Sequence, residues 1–519
     1  MLIKTIILLV FFAIMIGVGI YTRQRVKSVD DFILGGRGIG PWFSAFAYGT
    51  TYFSAVVFVG YAGQFGWKYG MAATWIGIGN ALLGSMLAWA VLGRRTRIMT
   101  NHISASTMPE FFGKRYGSNS MKIVASAIIF IFMIPYTASI YNGLSRLFAM
   151  AFDVPFAVCV ITMAVLTGIY VILGGYVATV LNDFIQGIIM LFGIIAVIVV
   201  TLSNQGGFMQ AVFNLSTFPS EAAISAGQSG AYTSLLGPDP LNLLGVIVLT
   251  SLGTWGLPQM VQKFYAIKSE KMIKTGMIVS TLFALIIAGG CYFLGGFGRL
   301  FDSPAIRNAD SGAVIYDSII PHIMSTLPDL LIGIVVVLVL SASMSTLAAL
   351  VLTSSTTLSL DFIKGNIIKK MSEKSQLFTL RLLIVFFIAI SVVLALNPPT
   401  FIAQLMGISW GAMAGAFLAP FLYGLYWKQV SRAAVWASFF TGVGITVSNL
   451  FLHYIESAIN AGAIAMIVSL IVVPLVSLII RQPQTAEIDQ IFSCYQEKVT
   501  VPRWLALEYG IPEDSEHIE

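Results

Sequence analysis

The stretch LIGIVVVLVLSASMSTLAALVLTSSTTLSLDF, residues 331–362, decides the fold class and supplies the first site hypothesis. Its first ten residues are hydrocarbon side chains and one glycine, the pattern of a helix that lies in a lipid bilayer. Hydroxyl groups then follow at Ser343, Ser345 and Thr346, where such a helix has no need of them. Ala342, Ser345 and Thr346 stand at i, i+3 and i+4 and therefore share one helical face.

Two interpretations of that face are open. Hydroxyl oxygens and a weakly bonded carbonyl form a small neutral oxygen cluster. Such a cluster suits a monovalent cation, because it supplies partial negative charge without a carboxylate. Alternatively, Ser and Thr in membrane helices bond back to the i−4 carbonyl or let neighbouring helices approach closely. This helix alone does not decide between an ion site and a packing surface.

The composition predicts an all-α polytopic membrane protein. Of the 519 residues 57% are hydrophobic and only 10% are charged, and the mean hydropathy is +0.87. Apolar runs of about 17–25 residues predict thirteen transmembrane helices, the first of them retained because no small-residue cleavage site follows it. They fall near residues 3–22, 41–65, 72–93, 123–150, 154–174, 180–202, 241–262, 275–298, 329–360, 382–397, 400–427, 433–453 and 459–480.

The charged residues predict the orientation. Lys and Arg cluster in alternate loops, and the opposite loops hold little beyond Lys68, Arg299 and Arg307. By the positive-inside rule the N-terminus lies outside the plasma membrane and the C-terminus in the cytoplasm. The basic clusters fall within residues 23–37, 94–122, 263–274, 364–374 and 428–432.

The same composition excludes several classes of function. The net charge of +6 reflects the loop bias and not nucleic acid binding. Three cysteines and four histidines are scattered without metal-ligand spacing, and no phosphate-binding loop precedes a lysine. We therefore expect neither an enzyme nor an ATP-driven pump.

Two predicted spans contain helix-breaking sequence at corresponding positions. The second span holds YGTTYFS, residues 48–54, which would free carbonyls near Thr50 and Phe53, and the seventh holds SLGTWGLP, residues 251–258. Such a pair predicts a 5+5 inverted repeat, with core repeats at about 41–202 and 241–427. The alternative for each span is a kinked helix with small packing residues.

Further polar residues are candidates for a site. Tyr136 could line a solute cavity or belong to an interfacial aromatic belt. Asp183, near the cytoplasmic mouth of the sixth span, is either a functional carboxylate or a helix N-cap. A transmembrane domain of residues 1–480 is then followed by a cytoplasmic tail, 481–519, with one short amphipathic helix around 488–495.

Four ordered stretches carry a family resemblance. Across about residues 5–480 the chain resembles the sodium:solute symporter family, with its LeuT-like inverted-repeat core. The matching stretches are FILGGRGIGPW (32–42), LGGYVATVLNDFIQG (173–187), SMSTLAALVLTSSTTLSLDF (343–362) and GAMAGAFLAPFLYGLYWKQVSRAAVWASFFTGVG (411–444).

The resemblance implies an ion site. Its sodium ligands would be the carbonyls of Thr50, Phe53 and Ala342 and the hydroxyls of Ser345 and Thr346. Asp183 matches an aspartate that lines the sodium exit path or joins a second sodium site in some members. Hydroxyls expected for that second site are replaced by Ala348 and Ala349, so we expect one sodium per cycle.

The resemblance also implies sodium-coupled symport of a small organic solute into the cell by alternating access, by a monomer in the lipid bilayer. TMPEFFGKRYG (107–117) is similar to the proline branch, whereas GLPQ (256–259) is similar to the pantothenate branch. The solute would be an amino acid such as proline, or a carboxylate such as pantothenate or a monocarboxylate. Proton-coupled symport and a transporter-like membrane sensor are the alternatives. The predicted solute contacts are Tyr52, Ser54, Gln64, Tyr136, Thr254, Trp255 and Gln259.

Overall fold

A computed structural model describes residues 2–22, 28–219, 230–364, 366–368, 371–481, 483 and 485–496. Parts of two predicted basic clusters (23–27 and 369–370) and the end of the predicted tail (497–519) lie outside the described residues. Within the described part the chain is almost entirely helical, with isolated bridges in place of strands. The all-α class is therefore confirmed.

The helices follow the predicted apolar runs, with short 3₁₀ turns between some of them. The described α- and π-helical segments are Leu2–Thr22, Val29–Leu34, Pro41–Tyr52, Val56–Tyr61, Ala62–Tyr69, Thr74–Gly79, Asn80–Leu87, Trp89–Gly93, Arg94–His102, Met108–Arg115, Asn119–Phe152, Phe156–Asn204, Phe208–Ser216, Pro240–Gly256, Pro258–Ala266, Met272–Gly295, Tyr316–Ser325, Asp329–Thr357, Leu358–Ile363, Glu373–Leu396, Ile402–Tyr426, Arg432–Leu452, Ala458–Ile479 and Ala486–Ser493.

The long apolar helices are fewer than the predicted spans. Among the described residues, 10 helices are long and apolar enough to cross a membrane, or up to 11 if a bent pair is one span. The exact count of thirteen is thus not confirmed. The difference between the thirteen predicted spans and these helices arises in two long helical runs. They are Val56–His102, with 47 residues, and Phe156–Asn204, with 49. At 1.5 Å per residue the longer run exceeds twice the roughly 30 Å hydrocarbon core, and glycines with positive φ, Gly70 and Gly175, turn the chain within them.

The first predicted break is confirmed. The helix Pro41–Tyr52 ends at Phe53, which is extended (φ −108, ψ 102), and a π-helix resumes at Val56. No proline causes this interruption; Gly49, Thr50 and Thr51 precede it. We call residues 41–69 the first broken segment.

The second predicted break is confirmed as well. Pro240–Gly256 and Pro258–Ala266 meet at an angle of 47°, with Leu257 extended between them (φ −88, ψ 120). Pro258 lacks the N–H that a continuous helix needs and disfavours helical geometry at the preceding residue, so the break falls at Leu257. We call residues 240–266 the second broken segment.

The quoted stretch forms the middle of the bundle. From Leu331 to Thr357 the helix Asp329–Thr357 is buried at nearly every position, as expected for a helix that is apolar on all sides. It packs against Leu2–Thr22, Pro41–Tyr52, Asn119–Phe152 and Phe156–Asn204. We call Asp329–Thr357 the central helix.

Paired glycines let other helices approach closely. A Cβ on Gly66 would lie 2.0 Å from backbone atoms of Gly295, and a Cβ on Gly442 would lie 2.2 Å from the Gly415 backbone. Small residues at such crossings replace the hydrophobic driving force that helices lack in lipid. The 411–444 stretch quoted above therefore has a packing role where its two helices cross.

Candidate functional site

The first broken segment meets the central helix through a cluster of buried oxygens. The Ser345 hydroxyl donates to Thr50 Oγ1 at 2.9 Å. The Thr346 hydroxyl lies 3.3 Å from the Thr50 carbonyl, 3.2 Å from the Thr51 carbonyl and 3.1 Å from the Ala342 carbonyl. The structure thus joins four of the five predicted sodium-site residues.

The break explains why these carbonyls are accessible. In a continuous helix the Thr51 carbonyl would accept from the N–H of Ala55, but that N–H donates instead to Ser343 Oγ at 3.3 Å. Sequence reasoning missed Thr51, although the position of the break was a signal that could have found it. Neutral hydroxyls and unwound carbonyls of this kind coordinate sodium in broken-helix transporters.

Phe53 is the fifth predicted ligand and lies at the break itself. Its N–H still bonds to the Gly49 carbonyl at 3.1 Å, and its ring stacks on Tyr52 with centroids 4.3 Å apart. In the described structure its carbonyl is not hydrogen-bonded to the Ser345 and Thr346 group. Its place as a ligand stays a prediction.

Asp183 lies on a helix that packs against the central helix. It is inside the helix Phe156–Asn204 and fully buried, so the N-cap alternative is wrong. Its carboxylate oxygens have no hydrogen-bond partner among the described residues. The ammonium of Lys263 lies 3.9 Å from Asp183 Oδ2. The basic pattern had suggested that Lys263 is a loop residue, whereas it is buried in the second broken segment.

Aromatic side chains surround the first break on its other side. The ring of Tyr52 stacks on that of Trp410 at 6.1 Å, and Tyr136 meets Trp410 edge-on at 5.8 Å. Trp410 was missed because a single Trp within an apolar run carries no distinguishing pattern.

The Tyr52 hydroxyl connects the two broken segments. It donates to the Thr250 carbonyl. The space for it exists because Gly84 has no side chain: a Cβ there would lie 2.3 Å from the Tyr52 oxygen. Sequence reasoning did not identify Gly84, whose role depends on a partner 32 residues away.

The other predicted solute contacts lie in different surroundings. Thr254 Oγ1 lies within hydrogen-bond distance of the carbonyls of Gly84 (3.0 Å) and Ser251 (2.9 Å), and Trp255 Nε1 donates to the Leu83 carbonyl at 3.0 Å. Gln259 is buried, and its Oε1 has no hydrogen-bond partner in the described structure. The seven residues therefore do not line one open surface.

Gln64 lines a separate cavity of about 1070 Å³ between the C-terminal end of the first broken segment and the N-terminal end of the second. Its walls include Lys68 and Arg299. The Arg299 guanidinium is held between the rings of Trp67 (4.6 Å) and Tyr232 (4.0 Å) and donates to the Trp67 carbonyl at 2.8 Å. This cavity lies on the side where the loops carry few basic residues.

These features define a class of protein. Two broken membrane helices that face a buried helix, with freed carbonyls against its hydroxyls, are the architecture of a secondary transporter. The model of the sodium:solute symporter family matches residues 32–442, and the chain belongs to that family. It is a sodium-coupled solute symporter, in a family of transporters and not of enzymes.

Individual relatives agree with this assignment. Sodium/proline symporters of Staphylococcus aureus strains JH9 and JH1 are each 28% identical over 499 residues, covering 92% of this chain and 93% of the relative. A solved structure of a Na⁺-coupled sialic acid symporter in a substrate-bound, outward-open state has a TM-score of 0.74 at 16% identity. The similarity covers 93% of this chain and 99% of that one and shows a shared LeuT-like fold.

Proposed function

We propose that this symporter carries one sodium ion and one small organic solute into the cell in each cycle. It works as a monomer in the plasma membrane, with the N-terminus outside and the tail from residue 481 in the cytoplasm. The solute is an amino acid with a compact side chain, such as proline. A carboxylate such as pantothenate or a monocarboxylate is the alternative.

One observation carries the ion site: the buried contact of Ser345 and Thr346 with the Thr50 backbone and side chain. Sodium would replace these hydrogen bonds and take oxygens from Thr50, Phe53, Ala342, Ser345 and Thr346. Because these ligands come from the first broken segment and the central helix, bound sodium would hold the two elements together. Alanines at 348 and 349 support a stoichiometry of one.

The aromatic cluster favours a solute without net charge. The described partners of Tyr52 and Tyr136 are aromatic rings and a backbone carbonyl, and none of them is charged. A zwitterionic amino acid fits such surroundings, since its apolar body can pack on the rings. Its carboxylate can approach the sodium ion and the helix N-terminus that begins at Val56. The sodium/proline relatives support proline as the first candidate.

Sodium binding and solute binding would be coupled because both proposed sites use the first broken segment. Sodium orders the first broken segment, whose Tyr52 and Ser54 belong to the proposed solute site, so each ligand must raise the affinity for the other by the same factor. Solute would arrive through the outer cavity, and sodium would leave past Asp183. A potential of 100 mV drives one charge inward with about 2.3 kcal/mol, enough for about fiftyfold accumulation of a neutral solute.

Uptake into proteoliposomes tests the proposal. Labelled proline, pantothenate and a short monocarboxylate are offered with an inward sodium gradient, with an inward proton gradient, and with neither. We expect sodium-dependent accumulation of proline. Accumulation of pantothenate or the monocarboxylate would move the substrate to the carboxylate class, and accumulation on protons alone would refute sodium coupling of the transported solute.

A further inference from the structure

An apolar groove of about 520 Å³ runs between two helices at the surface of the bundle. One wall is the first half of the helix Phe156–Asn204, from Ile161 to Leu173, and the other is the helix Glu373–Leu396, from Val385 to Val392. All of the side chains in its described lining are hydrocarbons, apart from one glycine. We call it the lateral groove.

The lateral groove has the length and the exposure of a site for one lipid chain. Residues 161–173 rise about 18 Å at 1.5 Å per residue, slightly more than half of the roughly 30 Å hydrocarbon core. Val165 and Val385 are 55% and 53% exposed, so the groove is open to the surroundings of the bundle. Because the helix Glu373–Leu396 is long and apolar enough to cross a membrane, those surroundings are lipid.

Two basic residues stand before the groove on the helix Glu373–Leu396. Arg381 comes four residues before Val385, and Lys374 comes seven residues before Arg381. These spacings place both basic residues on the helical face that lines the groove. The same helical face is therefore apolar along the groove and positively charged beyond one end of it.

The second wall ends at the same place. Gly175 follows the last groove residue of that wall, Leu173, by two positions, and a Cβ on Gly175 would lie 2.7 Å from the Phe32 carbonyl. The Arg381 guanidinium lies 6.0 Å from the centroid of the Phe32 ring. Phe32 thus adjoins the ends of both walls, and the guanidinium lies at the end of the groove.

Arg381 lacks an acceptor in the protein. In the described part of the chain its Nε is buried without a hydrogen-bond partner, and no described carboxylate forms an ion pair with it. A buried N–H without an acceptor is uncommon, because it loses its bond to water and gains none in return. A phosphate suits a guanidinium, since it is negatively charged and accepts two parallel hydrogen bonds.

We propose that the lateral groove and Arg381 bind one anionic phospholipid, with its phosphate at the guanidinium and one acyl chain in the groove. The exposed Lys374 ammonium favours a head group without a positive charge of its own. On the orientation proposed above, the head group belongs to the cytoplasmic leaflet, where basic pockets between transmembrane helices bind anionic lipids. This site is separate from sodium and solute binding, and its test does not depend on them.

Lipid counting by native mass spectrometry tests the inference. Purified full-length protein in detergent is titrated with phosphatidylglycerol and, separately, with phosphatidylcholine of the same acyl chains. We expect the wild type to bind one phosphatidylglycerol more tightly than phosphatidylcholine, and R381Q to bind phosphatidylglycerol about tenfold or more weakly. Equal binding of the two lipids by the wild type, or wild-type affinity in R381Q, would overturn the inference.

The matched control for the lost charge is K274Q. Lys274 is an exposed basic residue in the first turn of another membrane-crossing helix, Met272–Gly295, and does not line the groove. Its phosphatidylglycerol affinity should stay within twofold of the wild-type value. A loss in K274Q as large as that in R381Q would show a general effect of surface charge and would contradict a site at Arg381.

The A389F variant decides the matter even if R381Q fails to fold. Ala389 is exposed and lines the groove, so the added ring fills the groove and leaves both basic residues in place. Phosphatidylglycerol affinity should fall about tenfold or more, because the CH₂ groups of the acyl chain lose their contacts. Unchanged affinity would overturn the inference. A wild-type dimer that A389F converts to monomers would also overturn it, because a second copy of the chain would then fill the groove.

Discussion

The two broken segments interrupt their helices by different means. The first has no proline at its break, and its freed carbonyls face hydroxyls of the central helix. The second is fixed by Pro258 and brings its own buried cation, Lys263, to Asp183. On our proposals, the first segment depends on an ion that binds and leaves, whereas the second is held by covalent structure.

The break in the first segment would therefore depend on bound sodium, whereas the break in the second would not. Sodium binding should alter the first segment, because its carbonyls and hydroxyls otherwise satisfy one another. The second segment should keep its break with or without sodium. Variants in the two segments should therefore differ in what they change: sodium dependence in one, solute affinity and turnover in the other.

The largest effect is expected from S345A. It removes a hydroxyl from the proposed sodium shell, and a lost contact to a charged group costs about 1.5–3 kcal/mol, or about 10- to 150-fold in affinity. The sodium concentration for half-maximal uptake should rise by that factor. The matched control is S391A, which removes a buried hydroxyl of the helix Glu373–Leu396 that donates to the Phe387 carbonyl of the same helix. Unchanged sodium dependence in S345A would contradict the site.

The G84A variant tests the contact between Tyr52 of the first broken segment and the Thr250 carbonyl of the second. The added Cβ would lie 2.3 Å from the Tyr52 oxygen, and such overpacking costs about 1–3 kcal/mol. Tyr52 must then leave the Thr250 carbonyl, so solute uptake should fall about 5- to 150-fold while sodium binding changes little. G444A is the control, since no atom lies within 4 Å of its added Cβ. Normal uptake by folded G84A would remove Tyr52 from the solute site.

The ion site was largely predictable because it is local in sequence. Hydroxyls at 345 and 346 stand out in an apolar helix, and Gly-Thr-Thr at 49–51 marks a break. The family resemblance then connected the two stretches. The existence of the helices was equally predictable from the sequence. The exact count of thirteen crossings stays unconfirmed, because the chain turns at Gly70 and Gly175 inside two long helical runs.

The solute site and the ion pair were not predictable in the same way. Trp410 and Gly84 matter through partners from distant parts of the chain, and neither residue type is unusual in a membrane helix. Lys263 was assigned to a basic loop because it lies at the end of a span, among other lysines. Its partner Asp183 comes from another span, and only the packed structure brings the two charges together.

A smaller effect is expected from P258A. Alanine removes the restraint that proline places on Leu257, so the second break becomes less rigid, with a cost of about 1 kcal/mol or about fivefold. The Michaelis constant for solute should rise by that factor at saturating sodium. The sodium concentration for half-maximal uptake should stay within twofold of the wild-type value. A shift in sodium dependence as large as that of S345A would contradict the division between the two segments.

The smallest effect is expected from D489A, which provides a surface counterpart to the buried pair. Lys428 Nζ lies 2.7 Å from Asp489 Oδ1, closer than in the Lys263–Asp183 pair, but the two side chains are 41% and 45% exposed. Exposed pairs contribute about 0–1 kcal/mol because water and salt screen the charges. The melting temperature of D489A should therefore stay close to that of the wild type, whereas D183N should be clearly destabilised. If the two variants lose equal stability, burial does not distinguish the two ion pairs.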